Sequence, residues 1–114
     1  MAYAKFDDGF GSHPKVRNLS PWAFQLHVCG ILHCARWLTD GRVTADALQD
    51  LMRKYRPSAL DELLAAGLWR ELGPDVYEIH DYLQWNDSRA KVESRRAKNA
   101  ERLAKWRAEH GKDD

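Results

Sequence analysis

Between residues 58 and 85 a helical pattern stops at a glycine and gives way at once to two strand patterns joined by a turn. Few small folds accommodate that order. Ser58 is read as a helix cap, with Asp61 three residues on in a variant of the capping box, and Leu60, Leu63 and Leu64 share one apolar face. Gly67 offers the left-handed conformation at which helices commonly stop. Residues 68–72 and 76–80 are short runs rich in aromatic and branched side chains, and Gly73-Pro74-Asp75 between them has turn chemistry.

The upstream sequence supplies what such a unit packs on. Ser20-Pro21 pairs a cap residue with a proline at a helix start. From there Phe24, Val28, Ile31, Ala35 and Leu38 recur at helical spacing, and Trp22, Leu26, Cys29 and Leu32 widen the stripe. A helix over 20–38, covered on most sides, is expected. Residues 39–44 read as a turn and a very short extended piece. Thr44 then caps a helix over 45–55, with Asp46 in its first turn and Leu48, Leu51, Met52 and Tyr55 on its apolar face. Arg56-Pro57 closes that helix, because the residue before a proline avoids the helical region. The next helix, 59–66, follows directly, which makes a helix-turn-helix. Residues 3–7 alternate weakly and are read as an edge strand beside the hairpin, ended by Gly9 and Gly11. The expected fold class is mostly α with a small β-hairpin, α+β: a winged helix-turn-helix domain over 1–85, followed by a long basic C-terminal helix.

Residues 81–85 form an aromatic connector in which Trp85 is read as a packing anchor rather than a base-stacking platform. Asn86-Asp87-Ser88 caps a last helix reaching to about residue 110, within a helical tail over 86–114. The net charge of +1 conceals a division. Residues 1–87 carry nine Lys/Arg against twelve Asp/Glu, a net of −3, and residues 88–112 carry nine against three, a net of +6. The tail is therefore basic and the rest mildly acidic. Its only large apolar residues are Val92, Leu103 and Trp106, and Val92, Asn99 and Trp106 repeat at seven. They allow a weak self-association seam, so that monomer and homodimer are both open.

Other chemistry finds little support. Asp7, Asp8 and His13 hold too few ligands for an oxygen-rich cage. Cys29 and His33 share a helix face, with His27 and Cys34 nearby, but no second ligand cluster completes a zinc site. Neither metal nor cofactor is expected. Cys29 and Cys34 point in different directions along one helix, against a disulfide. Ser12 beside His13, and Ser20, lack a placed base and orienting carboxylate, so no enzyme is expected. No apolar run approaches the roughly 20 residues that span a bilayer, and no secretory signal opens the chain. A soluble, cytoplasmic protein is expected, with a core of modest size supplied by 44% hydrophobic residues and five Trp.

Nucleic acid is the partner that the charge favours. In a helix-turn-helix the second helix enters the major groove, yet here it would present Asp61, Glu62 and Ala65, and carboxylates are repelled by phosphates. Cations near the motif are Arg53, Lys54 and Arg56, with Arg70 on the first strand of the hairpin. The tail supplies Arg89, Lys91, Arg95, Arg96, Lys98, Arg102, Lys105 and Arg107, read as spread around the helix rather than stacked on one stripe. Arg53, Lys54, Arg56 and these tail cations are the expected phosphate contacts, with Ser58 near the backbone.

Several segments in order carry a resemblance: Phe6-Asp7-Asp8-Gly9-Phe10, His13-Pro14-Lys15-Val16, Thr39-Asp40-Gly41, Leu64-Ala65-Ala66-Gly67-Leu68-Trp69, Tyr77-Glu78-Ile79-His80-Asp81-Tyr82-Leu83 and the basic helix. Together they resemble small winged-helix proteins of actinobacterial phages and prophages, similar to the N-terminal domains of phage replication initiators and replisome organisers. The resemblance spans roughly residues 5–105. It implies binding of double-stranded DNA in replication or transcription regulation. The alternative expectation is a protein-interaction module docking on a host replication or transcription protein.

Overall fold

The computed structural model describes residues 3–110. In chain order they form a 3-10 turn Phe10–Ser12, α1 (Pro14–Arg17), α2 (Pro21–Trp37), β1 (Arg42–Thr44), α3 (Ala45–Leu51), α4 (Pro57–Ala65), β2 (Trp69–Gly73), β3 (Val76–Ile79), α5 (Tyr82–Trp85) and α6 (Arg89–His110). The class is α+β, mostly helical, with one three-stranded antiparallel sheet ordered β1-β3-β2.

Local signals account for most of the boundaries. Ser20 Oγ accepts from Ala23 N at 3.2 Å at the start of α2, and the Glu62 carboxylate accepts from Ser20 N at 2.8 Å, tying α4 to the same helix end. Gly67, at φ +75°, ends α4. Leu68 N donates to Leu63 O and Gly67 N to Leu64 O, the paired bonds of a Schellman ending. That ending delivers Trp69 directly into β2, where it pairs with Ile79. Leu26, Cys34, Val43, Leu63 and Trp69 are the largest fully buried side chains, contributed by α2, β1, α4 and β2.

Five expectations are corrected. Residues 3–7 form no strand: β1 occupies the edge of β3 that they would need, pairing Arg42 to Glu78 and Thr44 to Val76. The Asn86 side chain holds that segment instead, accepting from Lys5 N at 2.6 Å and donating to Lys5 O at 3.3 Å. The helix expected over 45–55 ends at Leu51, because Met52 turns extended and is buried. Ser58 does not cap α4, since Pro57 takes the first helical position and Arg56 the cap position; a proline suits that place because its missing N–H is an orphan there anyway. Trp85 is 52% exposed and is no buried anchor; Tyr82 and Asn86 are the buried residues of this connector. Finally, α2 is open along one side, with Leu32 and Trp37 exposed, because its neighbours bury only the face of Leu26, Gly30 and Cys34.

α6 leaves the rest of the molecule. All its residues are exposed except the half-buried Val92, and the molecule measures 62 × 31 × 24 Å. Its first turn is fastened from two sides: Ser88 Oγ accepts from Lys91 N at 3.2 Å, and Asp40 Oδ1 accepts from Arg89 N at 2.7 Å. No helix among the described residues is long and apolar enough to cross a membrane.

Candidate nucleic-acid interface

The helix-turn-helix presents fewer carboxylates than its sequence implies. Glu62 is committed to Ser20, and the exposed residues of α4 are Pro57, Ser58, Asp61 and Ala65. Arg53 and Lys54 are exposed in the turn between α3 and α4, and neither makes an ion pair among the described residues. Arg56 lies over the ring of Trp22, its guanidinium carbon 3.9 Å from the ring centroid. This contact holds a long side chain in place at the start of α4 while its charge still faces water. Arg70 is spent, with Glu78 2.5 Å away across the hairpin.

The eight tail cations divide in two. Arg89 pairs with Glu93 at 2.9 Å, Lys91 pairs with Asp87 at 3.3 Å, and Arg95 also reaches Asp87. Asp87, which further binds Lys5 at 3.5 Å, is held down to about 2 chiefly by the hydrogen bond from Arg95. Its carboxylate therefore keeps its charge well below the ordinary carboxylate range. Arg96, Lys98, Arg102, Lys105 and Arg107 make no ion pair among the described residues.

The sequence reading of cations spread around the helix is corrected by the unbroken course of α6. At about 100° per residue, Lys91, Arg95, Lys98, Arg102 and Lys105 lie at steps of four, three, four and three residues, within an arc of about 80°. They form one stripe about 21 Å long. Arg89, Arg96 and Arg107 form a second row, and Val92, Asn99, Leu103 and Trp106 run between the two. Leu103 and Trp106 are about half exposed, so these candidate self-association residues line the strip between the cationic rows rather than a separate face. Glu93 and Glu101 fall on the far side with Ala90, Ala97 and Ala104.

Among the described residues no three His, Cys, Asp or Glu side chains converge as metal ligands. Cys29 and Cys34 are free thiols, and burial pushes the Cys34 thiol up to about 11. His27 is buried and accepts a hydrogen bond from Trp69 Nε1 at 2.9 Å through Nδ1. Burial lowers its pKa to about 4.

This histidine makes stability depend on pH. The unfolded chain takes up a proton near the ordinary value of 6.5, and the native state resists it down to about 4. Protonation therefore favours the unfolded chain. The contribution is fully present above pH 6.5, is lost progressively as pH falls to about 4, and amounts to about 3 kcal/mol. Urea titrations between neutral pH and pH 4 should show unfolding midpoints falling across that window. A flat profile would contradict the burial of a neutral imidazole. The half-buried His33, also lowered by burial, acts in the same direction.

Sequence reasoning had counted Trp22 as one more apolar residue and had not paired Asp40 or Asp87 with the tail. A stacked guanidinium leaves no mark in spacing, and Asp40 meets Arg89 across 49 positions. The chain matches no family model, and no curated relative or solved structure is significantly similar to it.

Proposed function

We propose that this chain is a winged helix-turn-helix protein of phage type that binds duplex DNA without catalysis, in replication initiation or transcription regulation. The observation that carries the reading is the cationic stripe of α6, in which Lys98, Arg102 and Lys105 are free of ion pairs among the described residues. The order of helices, short strand and hairpin supports the winged-helix assignment, and the sequence resemblance supports the phage setting. Arg53, Lys54 and the Trp22-held Arg56 supply a second group of cations at the turn of the motif. Contacts from both groups go to phosphates, so affinity dominates over sequence choice. Asp61, on the exposed side of α4, disfavours deep entry of that helix into the groove.

The test is a titration of random-sequence duplex DNA, repeated over a salt series, with the native chain and with K98Q/R102Q/K105Q. All three positions are exposed, so the substitutions leave the fold intact. Removing three phosphate contacts should flatten the dependence of log affinity on log salt by about 3 units and weaken binding at low salt by at least about tenfold. Absence of duplex binding by the native chain at low salt refutes the proposal, and an unchanged salt slope removes α6 from it. The half-exposed Leu103 and Trp106 favour self-association as a second reading. Sedimentation at rising concentration tests it.

A further inference from the structure

A cavity of about 280 Å³ lies where the N-terminal segment crosses α2, the end of α4 and the end of the hairpin. It stands apart from the stripe on α6. Phe6, Phe10 and Trp85 wall it, with Ile31 and Ile79 deeper in, and His27 borders it from α2. Phe10 stacks on the His27 ring at 5.5 Å. Walls of this kind, around a space the size of a one- or two-ring molecule, are those of a small-ligand site.

Two donors of its lining without a partner among the described residues bear on a ligand. The first is the His27 ring. Its Nδ1 accepts from Trp69, so the neutral imidazole carries its proton on Nε2. No described acceptor meets that N–H. Nor is it sealed inside protein, because among the described residues the one sealed side-chain polar atom without a partner is Thr39 Oγ1. The Nε2–H donor of a side chain only 4% exposed therefore opens on the cavity. The second group is Lys15. Its ammonium lies over Gly67, 3.6 Å from where a Cβ would stand, and makes no ion pair. Lys5 is paired with Asp87, His80 and Asp81 face each other at 3.0 Å, and the Asp7 carboxylate is folded over Gly9.

We infer that this cavity binds a small flat aromatic carboxylate, its ring between Phe10 and Trp85, an oxygen accepting from His27 Nε2–H, and its charge met by Lys15. A neutral imidazole at the floor suits an acceptor of either charge, and Lys15 selects the anion. The site joins the N-terminal segment to the end of α4, so an occupant would add to the contacts of Asn86, Asp87 and His27 that now hold that segment.

The test uses the full chain and three probes of one shape: naphthoate, naphthamide and naphthylmethylammonium. Binding is followed through the NMR signals of the His27 ring nitrogens and the Trp85 indole. Naphthoate should shift both saturably, the amide should bind about tenfold more weakly and the ammonium compound more weakly still. Lys15→Ala, a change at an exposed position, should bring naphthoate down to the affinity of the amide and leave the amide unaltered. Failure of all three probes to shift His27, equal affinity for the three, or naphthoate binding indifferent to Lys15→Ala would each overturn the assignment. The measurement is made on the protein free of DNA, so its outcome is independent of duplex affinity.

Discussion

Trp69→Ala is expected to lose about 4 kcal/mol of stability, a large part of the 5–15 kcal/mol typical of a small domain, and to lower the melting temperature by about 15–25 °C. The indole is 1% exposed and stands at the first position of β2, where the chain emerges from the Schellman ending of α4. Its Nε1–H donates to His27 on α2. Truncation leaves a cavity among α2, α4 and the sheet, and it strips His27 Nδ1 of the donor that fixes its tautomer. Thermal and urea denaturation of the variant check the value. A loss below about 1.5 kcal/mol would mean that the core closes around the gap, contrary to the packing described.

Gly30→Ala is expected to cost about 3 kcal/mol, although it lies in the middle of a helix, where alanine ordinarily gains about 1 kcal/mol over glycine. The reversal comes from one contact. A Cβ at residue 30 would stand 2.5 Å from Trp69 Cζ2 and 2.8 Å from Cη2, well inside the separation at which carbon atoms attract. The ring cannot give way, since its hydrogen bond to His27 and the pairing of Trp69 with Ile79 hold it on either side. In a Trp69→Ala background the obstacle is gone, and Gly30→Ala should then be neutral or stabilising. Denaturation of the two single variants and the double variant therefore gives a coupling of about 3 kcal/mol. Additive losses would show that residue 30 and the indole do not meet.

These two positions show why part of the fold was legible and part was not. Ser20-Pro21, Gly67 and the Gly73-Pro74-Asp75 turn act through backbone groups within a few residues, so their residue types are enough to place a helix start, a helix stop and a hairpin. Gly30 reads as a mild defect in a helix until the indole is set beside it. The misread positions share that dependence. Residues 3–7 alternate as a strand does, but β1 already occupies the edge of β3. Ser58 has the chemistry of a cap, but Pro57 starts the helix one residue earlier. Trp85 is as apolar as Trp69, yet the turn into α5 buries Tyr82 and leaves Trp85 about half in water.

The candidate interface divides in the same way. The residue list held the excess of positive charge in the tail and the carboxylates of α4, and helical periodicity alone aligns Lys91, Arg95, Lys98, Arg102 and Lys105 once the tail is a single helix. Which charges stay free was decided in three dimensions. Glu62 is drawn to Ser20 across 42 positions, Asp87 takes Lys91 and Arg95, and Arg56 is stacked on Trp22. The cavity at His27 belongs wholly to the tertiary structure, since its walls come from five separate segments. Local sequence governs backbone conformation because capping and turn bonds close within a turn or two. Side-chain pairing, burial and cavities depend on which distant surfaces meet, and only the packed chain specifies that.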